Sequence, residues 1–106
     1  MRALIAALLL CPAAAIADFY NGNELYDRCQ RFPDVAGVYA AGVLDGGRTM
    51  EYWNRVSATI CVPNGVTIGQ AGEVMCNYLV RYPEKRHLSA SSLVLNAFEA
   101  AWPCSR

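Results

Sequence analysis

The sequence predicts a small all-α protein, a disulfide-linked bundle of about four helices left after an export signal is removed. Three observations lead there. A capped amphipathic segment runs from Thr67 to Tyr82 and stops at Pro83, other stretches repeat apolar residues at helical spacing, and four cysteines lie beyond the amino-terminal segment.

Residues 1–17 read as a secretory signal peptide. Arg2 gives a positive start, Ala3 to Leu10 an apolar core, and Ala15-Ile16-Ala17 a small-x-small cleavage motif. A membrane anchor would need about 20 apolar residues, and this run is shorter and broken by Pro12. A lipoprotein reading through Cys11 conflicts with Leu10, which is too large for the small residue expected before a lipid-bearing cysteine. Cleavage after Ala17 leaves residues 18–106 as one domain. Losing Arg2 takes the basic count from nine to eight against nine acids, a net charge of −1. Such a balance offers no extended basic surface for nucleic acid, and no membrane segment remains.

The first mature element is a short helix. Asn21-Gly22-Asn23 provides the cap, and Leu25, Cys29 and Phe32 share one face. Pro33 then suits the first turn of a second helix, with Asp34 complementing its positive end. That helix, Asp34 to about Arg55, is full of small residues: Ala36, Gly37, Ala40, Ala41, Gly42, Gly46 and Gly47. Glycine costs about 1 kcal/mol against alanine inside a helix, so the cluster implies a closely approaching neighbour or a break. Close approach is the preferred cause, with a kink at Gly46-Gly47. Val35, Val38, Tyr39, Gly42 and Val43 form the expected apolar stripe, and the second half carries Met50, Tyr52, Trp53 and Val56. Asp45 is expected to bond a neighbouring group rather than to act as a catalyst.

After a turn at Val62-Pro63-Asn64-Gly65, Thr67 and Gln70 stand three apart and form a capping box, so the third helix starts at Ile68. Its stripe is Ile68, Ala71, Val74, Met75, Tyr78, Leu79 and Tyr82, and Glu73, Asn77 and Arg81 fall on the other face. Pro83 ends it. Glu84-Lys85-Arg86-His87-Leu88 is a short charged connection to a last helix capped by Ser89 or a near neighbour. That helix repeats Leu93, Val94, Ala97, Phe98, Ala101 and Trp102 and stops at Pro103-Cys104.

Four cysteines in an oxidising compartment imply two disulfides, for which three pairings exist. Two helices joined by a short loop lie antiparallel, which returns Cys104 to the neighbourhood of Cys61. Cys76, in mid-helix, is then within reach of Cys29 on the first helix. The expected bonds are Cys61 to Cys104 and Cys29 to Cys76. A metal site is not expected, since His87 is the only histidine and no close cysteine spacing occurs. Nor is an enzyme, because candidates for the nucleophile, base and paired carboxylates of a hydrolase are sparse, with one histidine in a charged loop and the cysteines committed to bridges, and the lysine of a phosphate loop is missing. Arg48, Tyr52, Trp53 and Arg55 admit two readings, a recognition patch or core aromatics beside solvated arginines, the second being the preferred one.

The segments NGNELYDRC, VYAAGVLDG, ICVPNGVTIGQ, VMCNYLVRYPE and HLSASSLVLNAFEAAWPC add a resemblance. In order and spacing the chain resembles the Rap/Tai family of type VI secretion immunity proteins over nearly all of its mature length. The resemblance implies a helical periplasmic protein without cofactors, commonly dimeric, that binds a peptidoglycan amidase delivered by neighbouring bacteria and blocks its active-site cleft. The family's early motif usually carries a second cysteine where this chain has Ala36, and Cys76 appears instead, which favours the bond from Cys29 to Cys76. Contact residues are not transferable from the family. The candidate partner-binding residues are Glu84, Lys85, Arg86 and His87 together with Arg48, Tyr52 and Arg55. The competing reading is a non-catalytic periplasmic structural or chaperone-like protein on the same scaffold.

Overall fold

The computed structural model describes residues 18–105, so the expected signal peptide lies outside the described residues. Four helices follow one another: α1 (Gly22–Arg31), α2 (Pro33–Tyr52), α3 (Ile68–Arg81) and α4 (Ala90–Ala101), with a single 3₁₀ turn at Pro83–Lys85 between the last two. Local chemistry sets each start. Asn21 and Glu24 form a capping box on α1, and Thr67 and Gln70 form one on α3. Pro33 opens α2, and the Ser89 side chain accepts the Ser92 amide at the head of α4.

The core draws on every helix. Leu25 of α1, Ala36 and Ala40 of α2, Ala71, Met75 and Leu79 of α3, and Leu93, Val94 and Phe98 of α4 are buried together. Burying one such large side chain contributes about 1.5–3 kcal/mol, and the described residues include no buried polar or charged side chain.

The antiparallel course of α2 and α3 follows from their contacts. Cys29, just before α2, is bonded to Cys76; Gly37 lies against Gly72; and Ala41 and Leu44 share a small cavity with Val66 and Ile68. The second disulfide joins Cys61 to Cys104. Around it the Cys61 amide donates to the Trp102 carbonyl at 2.8 Å and the Cys104 amide to the Thr59 carbonyl at 3.3 Å. Both expected pairings are therefore present.

α2 departs from its expected form in two respects. The helix continues unbroken through Gly46 and Gly47 to Tyr52, and a β-carbon added at Gly42 or Gly46 would meet nothing within 4 Å, so neighbour approach does not explain these glycines. Its inward face is also rotated. Ala36, Gly37 and Ala40 are buried, whereas Val35 and Val38 are 50% and 62% exposed. The reason is the close approach at Gly37 and Gly72, which turns the smallest face of α2 towards α3 and leaves the valines outside. Phe32 likewise leaves the apolar face of α1, serving as its half-exposed C-cap.

Candidate partner-binding surface

Among the described residues, no group of three or more His, Cys, Asp or Glu side chains could hold a metal ion. With an apolar interior, the polar chemistry of the molecule lies on its exterior.

The charged connection after α3 is more ordered than its composition suggests. The Arg86 Nε donates to the Leu79 carbonyl at 2.7 Å, and its guanidinium carbon lies 3.7 Å from the Tyr26 ring centroid. Its own carbonyl accepts the Asn23 amide at 2.7 Å, and the Leu88 carbonyl accepts the Gly22 amide at 2.8 Å. Arg86 thereby ties the end of α3 to the start of α1. Gly22 permits this contact, since a β-carbon there would fall within 2.8 Å of both backbone atoms of Arg86.

Lys85 has a different role. Its Nζ lies 4.7 Å from the Tyr82 ring centroid and 3.3 Å from the Tyr78 hydroxyl, to which it donates. Tyr78 and Tyr82, one helical turn apart, have ring centroids separated by 4.7 Å. Glu84 and His87 are exposed on the same turn.

These tyrosines border a groove of about 290 Å³ between α3 and α4, with Val74, Arg81, Ala97 and Ala100 among its walls. On the other side of α3 a depression of about 440 Å³ runs along the Cys29–Cys76 bond and is lined by Asp34 and Glu73.

Arg48, Tyr52 and Arg55 lie elsewhere. α2 is 20 residues long against 14 for α3, so it overshoots its partner. Gly47 still lies near Leu95, but beyond it Tyr52 is 83% and Trp53 60% exposed. The preferred reading of these aromatics as core is thus corrected. Asn54, just past the helix end, takes a left-handed φ of 58°. Antiparallel helices diverging from the Gly37–Gly72 contact at 1.5 Å per residue put the α2 tip and the Glu84–His87 turn roughly 35–40 Å apart. The structure does not bring the two candidate segments together.

Sequence reasoning assigned Tyr78 and Tyr82 to the core stripe and Arg81 to solvent, and so missed the surface they form together. The available signal was position: both tyrosines lie at the edge of the stripe, one on each side of Arg81 in sequence. Asp45, weighed as a catalyst, is exposed, and the hydrogen bond made there runs from the Thr49 hydroxyl to its backbone carbonyl.

A third polar cluster lies near the amino terminus. Tyr20 and Tyr39 rings are 5.5 Å apart, and Arg28 lies over Tyr20. Burial pushes the Tyr39 hydroxyl above its ordinary pKa, with Asp18 and Tyr20 adding to the rise.

No curated protein and no solved structure gives a significant match to this chain. The family profile of Rap1a immunity proteins, however, matches residues 21–104. Those limits coincide with the N-cap of α1 and the last disulfide cysteine, so the match takes in all four helices and both bonds, and the chain belongs to the family of Rap1a immunity proteins.

Proposed function

We propose that the protein is a periplasmic immunity factor that binds a type VI secretion peptidoglycan amidase and inhibits it by covering the active-site cleft. The observation that carries this reading is the family match across the whole helical body. Membership gives immunity against a secreted effector; the amidase, the secretion route and the periplasm are inferences from the sequence resemblance. Two disulfides suit an oxidising compartment. They also suit an inhibitor, because a surface held rigid before binding loses less conformational freedom on docking.

Of the two candidate segments, the Glu84–His87 turn with its neighbouring tyrosines is the better docking face. One cleft cannot take both it and the α2 tip of the same protomer, given their separation. In the homodimer that the resemblance implies, the tip would serve a different contact. Sedimentation of the oxidised chain tests that dimer.

The functional test is co-expression, with both proteins exported to the periplasm. Cells carrying a cell-wall amidase from a type VI secretion locus should lyse alone and survive with this chain. Lysis undiminished across a panel of such amidases would remove the amidase from the reading.

A further inference from the structure

The groove between α3 and α4 joins small side chains, two aromatic rings and positive charge. Its α4 wall is built from alanines, Ala97 and Ala100, which leave room above them. Its α3 wall carries two aromatic rings, Tyr78 and Tyr82, and among the described residues Arg81 is the one charged residue of the lining. A second positive charge sits at its rim, since Lys85 is fixed over the Tyr82 ring and bonded to the Tyr78 hydroxyl. Among the described residues, no carboxylate is paired with Arg81 or Lys85.

We infer that this groove receives one apolar side chain of a partner protein, flanked there by a carboxylate that meets Arg81 and Lys85. This deepens the immunity reading and rests on it for the identity of the partner. The physical case has three parts. Tyrosine and arginine dominate the energetics of protein interfaces, because they combine large contact area with directed polar groups. Lys85 holds both tyrosine rings before any partner arrives, which lowers the ordering cost of docking. With Arg81 in the wall and Lys85 at the rim, a carboxylate beside the bound side chain is attracted and an ammonium repelled. The other exposed aromatic patch, at the α2 tip, mixes Glu51 with Arg55 and sets no such preference.

The inference is tested by nuclear magnetic resonance on the exported, oxidised chain, with the capped tripeptides Asp-Phe-Asp and Lys-Phe-Lys as probes at millimolar concentration. The acidic peptide should shift the amides of Tyr78, Arg81, Ala97 and Ala100. The basic one should bind about tenfold more weakly, because like charges oppose it. Ala100→Trp, at an exposed position that fills the groove, should abolish the shifts, and Arg81→Glu should invert the preference. Absent shifts, equal response to the two peptides, or shifts that survive Ala100→Trp would each overturn the inference. Protection by the wild-type chain alongside failed peptide binding would sink the groove alone, whereas absent protection would sink the amidase reading independently.

Discussion

A β-carbon on Gly72 would lie 2.9 Å from the Cα of Gly37, so α2 and α3 meet main chain to main chain at this pair. Gly72→Ala must therefore push the helices apart. Alanine is the better helix former by about 1 kcal/mol, yet overpacking of a tight contact costs about 1–3 kcal/mol, and the second effect should win.

Gly42→Ala and Gly46→Ala provide the control. Both positions are open on α2, so each substitution should stabilise by up to about 1 kcal/mol. Thermal melts of the oxidised variants check the pair of expectations: the midpoint falls for Gly72→Ala and rises for the other two. A Gly72→Ala protein as stable as the parent would contradict the close contact.

The disulfides are expected to govern stability. They join cysteines 47 and 43 residues apart, for which chain entropy gives about 4 kcal/mol each, a large share of the roughly 5–15 kcal/mol net stability of a domain. Replacing either cysteine pair with alanines should lower the denaturation midpoint sharply, and full reduction should abolish the cooperative transition. Helical circular dichroism against urea, with and without reductant, reads both effects.

Arg86 and Lys85 are adjacent in sequence but should behave differently. Arg86→Ala loses a charged hydrogen bond to the Leu79 carbonyl and its stacking on Tyr26, together about 2 kcal/mol. Lys85→Ala, which loses only its contacts with Tyr78 and Tyr82, should change the unfolding free energy by less, about 0.5–1 kcal/mol, while loosening both rings. Denaturant titration of both variants separates the roles. Charge reversal at Arg86 is for this reason a poor probe of partner binding, since it disrupts the joint between α1 and α3.

Tyr39 gives a pH dependence on the alkaline side. Burial favours its neutral form in the folded state and raises its pKa above the ordinary 10.0. Its contribution to stability is complete below the ordinary value and is lost as pH rises through the folded one. Tyr39 should ionise above the ordinary tyrosine value in an ultraviolet titration near 295 nm, and Tyr39→Phe should remove that late component.

Much of the fold was legible in the sequence because its signals are local. Thr67 with Gln70, Pro83 after Tyr82, and Ser89 before α4 each mark a boundary through backbone hydrogen bonding within a few residues. The disulfide pairing was legible one level higher, since short connections force antiparallel neighbours and fix which cysteines meet. What escaped depends on relative helix lengths and rotations. Val35 and Val38 look like core until Gly37 is seen against Gly72, and Tyr52 and Trp53 look like core until α2 is seen to outrun α3. The groove at Tyr78, Tyr82 and Arg81 escaped for the same reason: a residue at the edge of an apolar stripe can face the core or a partner, and only the position of α4 decides which.

The most direct measurement is the growth of cells that export a type VI cell-wall amidase together with this chain, compared with a version of the chain lacking residues 1–17. The account predicts survival with the exported chain and lysis with the leaderless one, because toxin and inhibitor must meet beyond the inner membrane. Equal protection by the two versions would contradict a periplasmic inhibitor.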